Sequence, residues 1–182
     1  MDNQQPPETV AFDVIVIGAG PVGLASGLTL AGLGYRTVIA TPPTRPDDHR
    51  TAALLAGSVE ILRQIGVWDE VADKAAPLRT LRIVDGTGRL IRAPEVAFHA
   101  SEIGLDAFGY NIANRVLVDG LESLRARRGI ALIEAPVERI SATDDGVLAL
   151  MADGSRVEAR LAVAADGRGS RTRRAAGIST KD

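Results

Sequence analysis

A chain of 182 residues with 46% apolar and 24% charged residues is long and apolar enough to bury one sizeable core or two smaller ones. Its net charge of −2, with aromatics at only 3% and no basic stripe interleaved with them, argues against nucleic acid as the main partner. The lack of cysteine excludes disulfides and thiolate metal sites.

The opening residues, MDNQQPPETV, are polar and proline-containing, so residues 1–10 read as a flexible tail without the basic start and apolar stretch of a secretion signal. No run approaches the roughly 18 apolar residues of a membrane span, and the expected location is cytoplasmic. FDVIVIG then has the composition of a buried parallel strand. Leu24, Leu28 and Ala31 recur at helical spacing, Gly34 supplies a stop, and YRTVIA resumes a strand, which together make a βαβ unit of about the usual ~30 residues. The proline-rich loop TPPTRPDDHR follows.

TAALLAGSVEILRQIG has the pattern of a helix packed on two sides, with Leu55, Val59 and Leu62 on one and Leu54, Ile61 and Ile65 on the other. VWDEVADKA continues as a short second helix. LRTLRIVDGTGRLIRA places strand-like runs on either side of DGTG and predicts a hairpin over residues 78–92. EVAFHASEIGLDAFG carries no clear pattern. GYNIA is a strand, Leu117, Leu121 and Leu124 mark a helix that Asn114 is placed to cap, and IALIEA is a further strand. Turns at Asp145-Gly146 and Asp153-Gly154 predict a small antiparallel meander before LAVAA and a final short helix, capped by Ser170 and ended by Gly177. The predicted fold class is α/β: a Rossmann-like parallel sheet with an added meander and hairpin.

Gly18, Gly20 and Gly23 form GxGxxG between a strand and a helix, the context in which the pattern carries chemistry. The first glycine permits the tight turn, the second lets a pyrophosphate approach the backbone, and the third lets helix and strand pack closely. The helix N-terminus then presents free N–H groups to phosphate. An acidic residue is expected some ~20 positions on, to hold a ribose hydroxyl, but Ala40 and Thr41 stand there. Thr41, or Asp47 or Asp48 folding back, are candidate substitutes; Arg45 and Arg50 are equally compatible with a 2′-phosphate. The turn AADGRGSRTRR, after LAVAA, falls on the same strand edge. There Asp166 suits sugar or polyol hydroxyls and Gly167 leaves room for close approach.

These residues resemble the class A flavoprotein monooxygenases, typified by para-hydroxybenzoate hydroxylase and the ubiquinone-biosynthesis hydroxylases. GAGPVGL is similar to their FAD fingerprint, and ADGRGSRTR to their second motif, with Asp166, Gly167, Ser170 and Arg173 at the matching positions. DDHRTAALLAGSVEILRQIGVWDEV resembles the segment whose arginine, here Arg50, approaches the cofactor. GYNIANRVLVDGL resembles the stretch whose polar residue, here Asn114, reaches the flavin side chain. The resemblance also implies cofactor contacts at Pro21, Val22, Thr41 and Val137. Ala164 departs from it, standing where a glycine is common. It further implies an FAD-binding domain over residues 11–77 and 106–182, a piece of the substrate domain over 78–105, and a chain corresponding to an N-terminal portion, inactive alone.

The implied activity is an FAD-dependent hydroxylation of an aromatic ring with O2 and NADPH or NADH. RTAALLAGSVEIL favours the ubiquinone branch, hence a polyprenylated phenol and peripheral membrane contact. No catalytic side chain is assigned and no metal is expected, and His49 and His99 read as surface or packing residues. Two rivals stand: an NADP-dependent dehydrogenase, which accounts for the absent acid and Arg45 but not for ADGRGSRTR, and a nucleotide-binding module without turnover.

Overall fold

The computed structural model describes residues 10–43, 48–90 and 92–179. The described residues divide into two compact units, one built from the chain up to Asp47 together with Val118 onward, the other from Asp48–Leu117. Residues 48–77 and 106–117 therefore group with 78–105 in the second unit.

In the first unit, β1 (Val10–Ile17), α1 (Pro21–Gly32) and β2 (Thr37–Ala40) are the βαβ opening that the sequence predicts. The remaining strands are β8 (Ala131–Ile133), β9 (Val137–Thr143), β10 (Gly146–Met151) and β11 (Arg156–Ala164), followed by α5 (Arg171–Ala175). Their order across the sheet is β8-β2-β1-β11-β10-β9. β8, β2, β1 and β11 run parallel, and β9 and β10 join as the antiparallel meander. RVEARLAVA is one continuous strand: β11 pairs with β10 along its first half and with β1 from Val157 to Ala164.

Alternation along β1 divides the core. Leu24 and Leu28 of α1 are fully buried, as are Val16 and Ile39, and a Cβ on Gly27 would meet Ile39 Cδ1 at 2.6 Å, so α1 lies directly on β2. Ile15, Ile17, Val38 and Ala40 instead cluster with Ala149, Met151, Val157 and Ala159, which means that the sheet curls until the meander covers its own parallel strands. Each valine, leucine, isoleucine or methionine side chain buried in this way is worth about 1.5–3 kcal/mol of hydrophobic stabilisation.

In the second unit, β3 (Thr51–Leu55) and β4 (Ala76–Pro77) flank β7 (Gly109–Ala113). The first five residues of the expected two-sided helix are thus a strand, and α2 is confined to Ala56–Ile65. Val59, Leu62 and Ile65 are buried while Ile61 is half exposed, so α2 packs on one side. A Cβ on Gly109 would lie 2.0 Å from Leu54 O, so β3 approaches β7 at a distance only glycine allows. After α3 (Trp68–Val71), where buried Trp68 packs edge-on to Tyr110 at 5.0 Å, comes β5 (Thr80–Ile83).

β5 pairs with β6 (Val96–His99), in the stretch without a clear sequence pattern, and not with the run after DGTG. The reason is local. The Asp85 carboxylate accepts the amides of Thr87 (2.9 Å) and Ala93 (3.1 Å), so these two donors are not available to a strand ladder. His99 is exposed, with Nδ1 3.2 Å from Thr80 Oγ1. α4 (Asn114–Arg127) then leads into β8, with Leu117, Leu121 and Leu124 buried as expected.

Candidate functional site: a glycine turn and an aspartate turn on one strand edge

β1 ends at Gly18, and the three motif glycines serve three different purposes. Gly18 has φ +110°, a conformation that disfavours any side chain, and its Cβ would meet Ala165 O at 2.3 Å. A Cβ on Gly23 would lie 1.8 Å from Gly18 O, so this glycine is required by the turn packed beneath the helix. Around Gly20 a Cβ would find nothing within 4 Å. The protein's own packing therefore does not demand glycine at position 20, whereas a ligand laid against the backbone does.

Gly20 is also the N-cap of α1. It offers no side-chain cap, Pro21 occupies the first turn, and that turn holds no acidic residue. The first-turn amides and the positive end of the helix dipole are thereby left for an anion. Val22 is strongly exposed at the same helix end.

The aspartate turn stands beside this one: the Ala165 amide donates to Ile17 O (2.8 Å), and a Cβ on Gly18 would approach the Asp166 Cα at 3.0 Å. The two sequence motifs are neighbours on one rim. Gly167 has φ +81°. Asp166 does more structural work than its sequence position suggests. Its Oδ1 accepts the Ser170 hydroxyl, and its Oδ2 accepts the Arg171 amide (2.8 Å), the Thr172 amide (3.1 Å) and the Thr172 hydroxyl (3.1 Å). Burial pushes this carboxyl up, but the bonds from Ser170 and Thr172 outweigh it and the net shift is downward. Ser170 in turn caps α5 through the Arg173 amide at 2.9 Å, as the sequence predicts. Among the described residues, Arg173 Nε is buried without a hydrogen-bond partner, while Nη2 donates to Arg168 O at 3.2 Å. The open glycine and the uncapped helix end form a donor set that fits a dinucleotide diphosphate.

Thr41 lies at the end of β2, buried, with its amide donating to Ile133 O at 3.0 Å. Val137 opens β9 opposite Met151 and packs against the apolar cluster. Arg45 and Asp47 lie outside the described residues, as do residues 1–9 of the expected tail; Val10 already belongs to β1.

In the second unit, Asp48 is neither a free acid nor a simple solvated turn. It grips the Arg50 guanidinium through two bonds, Nε–Oδ1 at 2.8 Å and Nη2–Oδ2 at 2.9 Å, and accepts Asn114 Nδ2 at 2.9 Å. The Arg50 bonds, then that from Asn114, hold its carboxyl well below the usual carboxylate range. Asn114 is the first residue of α4, and its side-chain Nδ2 is spent on Asp48, a partner that sequence spacing does not reveal. The Asp-x-Arg spacing was the one local signal that Asp48 and Arg50 would pair.

This fold and rim define a dinucleotide-binding α/β protein of the flavoprotein kind. Residues 11–182 match the family model of the FAD binding domain, and the chain belongs to that family. It is 31% identical to the ubiquinone hydroxylase UbiL of Rhodospirillum rubrum, over 93% of this chain and 40% of that protein. It is 32% identical to the 3-demethoxyubiquinol 3-hydroxylase of Escherichia coli, over 91% of this chain and 44% of that protein. It therefore spans less than half the length of these relatives. Among solved structures, the flavin-dependent monooxygenase PieE, determined with FAD and substrate, superposes with a TM-score of 0.75 at 21% identity, over 94% of this chain and 33% of that one. The p-nitrophenol 4-monooxygenase PnpA of Pseudomonas putida gives 0.73 at 24%, over 93% and 44%. These structural likenesses show the fold.

Proposed function

We propose that this chain is the FAD-binding portion of an FAD-dependent aromatic hydroxylase using NADPH or NADH and O2, acting on a phenol of the ubiquinone-precursor kind. The observation that carries the reading is the open Gly20 at the uncapped end of α1, beside the Asp166 turn, in a chain of the FAD-binding domain family. The ubiquinone hydroxylases among its relatives support the substrate class.

When bound, FAD supplies the redox and oxygen chemistry. The chain's own residues bind and orient. Gly20, Pro21, Val22 and Gly23 receive the diphosphate at the helix end, with Gly18 setting the turn. Asp166, held by Ser170 and Thr172, keeps the Gly167 turn in shape and retains acceptor capacity on Oδ1 for a ribityl hydroxyl. Arg173 donates from Nε. Thr41 and the main chain at Val137 are proposed adenosine contacts, and Arg50 and Asn114, preset by Asp48, are proposed cofactor contacts on the family resemblance. Residues 78–105, with the β5–β6 ribbon whose Leu81, Ile83, Val96 and Phe98 are exposed on one face, are proposed as part of a substrate-binding sheet.

No helix among the described residues is long and apolar enough to cross a membrane. A polyprenylated substrate would draw the protein to a membrane surface peripherally. The NADP-dehydrogenase alternative loses its support, because the family match is to an FAD domain.

The test is flavin binding by the purified protein. Uptake of FAD with flavin absorbance and quenched fluorescence is expected, followed by substrate-dependent NAD(P)H oxidation in the full-length context. A protein that binds NADPH and no flavin overturns the reading.

A further inference from the structure

β2 ends without the acid that normally holds the adenosine ribose; of the candidate substitutes, Asp47 lies outside the described residues, and the structure shows what the others do. Asp48 is committed to Arg50 and Asn114, and the carboxylate of Asp166 is taken up largely by its own turn. Thr41 is buried and carries no charge. The parallel register settles the rest. Ala40 of β2 faces Ile133 of β8, and the Thr41 amide donates to Ile133 O at 3.0 Å, so the next residue, Glu134, stands on the same rim, one strand over from the vacant acid position. Neighbouring strands lie about 4.8 Å apart, a shift that the long glutamate side chain is suited to span. Of the residues that directly follow the parallel strands β8, β2, β1 and β11, which are Glu134, Thr41, Gly18 and Ala165, only Glu134 bears a carboxylate. Glu134 is exposed and, among the described residues, makes no hydrogen bond or ion pair.

We propose that Glu134, from β8, holds the ribose hydroxyls of the adenosine half of the cofactor in place of the missing β2 acid. This rests on the reading of the rim as an FAD site. A carboxylate there accepts from both the 2′- and 3′-hydroxyls, and it repels a 2′-phosphate, so one side chain supplies both the ribose contact and discrimination against 2′-phosphorylated nucleotides. The arrangement also disposes of the pattern that had suggested NADP. The acid is present, carried by the adjacent strand.

The experiment is displacement of FAD, followed by flavin fluorescence, with ADP, 2′,3′-dideoxy-ADP and adenosine 2′,5′-bisphosphate as competitors. The unsubstituted protein is expected to favour ADP over the dideoxy analogue by about tenfold, the scale of a charge-assisted hydrogen bond, and to bind the bisphosphate weakly. Glu134→Gln should bring the ADP-to-dideoxy ratio towards one and improve the bisphosphate, with the melting temperature of the nucleotide-free protein unchanged because the side chain is exposed. A ratio near one in the unsubstituted protein, or a ratio that survives in Glu134→Gln, overturns the assignment while FAD binding stands. Failure of the unsubstituted protein to bind FAD or ADP removes the FAD reading and this one together.

Discussion

Two helices begin on the same rim, at the ends of paired strands, and the protein treats their N-termini in opposite ways. α5 is closed: Ser170 accepts the Arg173 amide, and Asp166 accepts those of Arg171 and Thr172. α1 is open: its cap is a glycine, its first turn has a proline and no acid, and no side chain reaches back to its amides. A helix end without partners leaves donors unsatisfied, so the open one is where a ligand is expected and the closed one is scaffold. The aspartate that looked in the sequence like a ligand contact is first of all what holds its own turn.

The glycines sharpen that contrast. Gly23→Ala would drive a Cβ to 1.8 Å from Gly18 O, and no flexible side chain is there to yield. Its expected cost is about 3 kcal/mol or more, read as a shifted urea midpoint with the slope unchanged.

Asp166→Ala should come next, at about 2–3 kcal/mol, since it unseats a cap and strands the Thr172 amide and hydroxyl. Because the folded carboxyl titrates lower than an unfolded one, its contribution is fully present above the unfolded value near pH 4 and is lost as pH falls through the folded value. Asp166→Asn should therefore flatten the acid limb of the stability curve; equal acid limbs for the two proteins would remove the scaffold role.

Gly20→Ala is expected to change stability least, within about 1 kcal/mol, because its Cβ meets nothing. It should nevertheless raise the FAD dissociation constant by about tenfold or more through loss of close approach. If calorimetry found Gly20→Ala as destabilising as Gly23→Ala, the open and closed ends would not differ in the way argued here.

Legibility followed the range of the interactions. The glycine turn, the strand before it, the Ser170 cap and the Asp145-Gly146 turn depend on dihedrals and bonds within a few residues, and all were readable. TAALL was not, because alanine and leucine favour helix while the strand is selected by β7, whose Gly109 lets a backbone come close. The hairpin at DGTG failed for a related reason: Asp85 captured the amides on which pairing would have depended. At the candidate site, the adjacency of the two turns followed from the rule that parallel strands share an edge. The Asp48–Asn114 bond joins positions 66 residues apart and has no local trace.

The sequence by itself determined a nucleotide-binding βαβ unit, a second turn on its edge and the family they signal, since glycines, caps and strand composition act through short-range sterics. Only the tertiary structure decided which acids are free. Whether a carboxylate serves a ligand or a neighbouring amide depends on what the fold brings within about 3 Å of it, and that is how Asp48 and Asp166 came to be occupied and Glu134 came to stand beside Thr41.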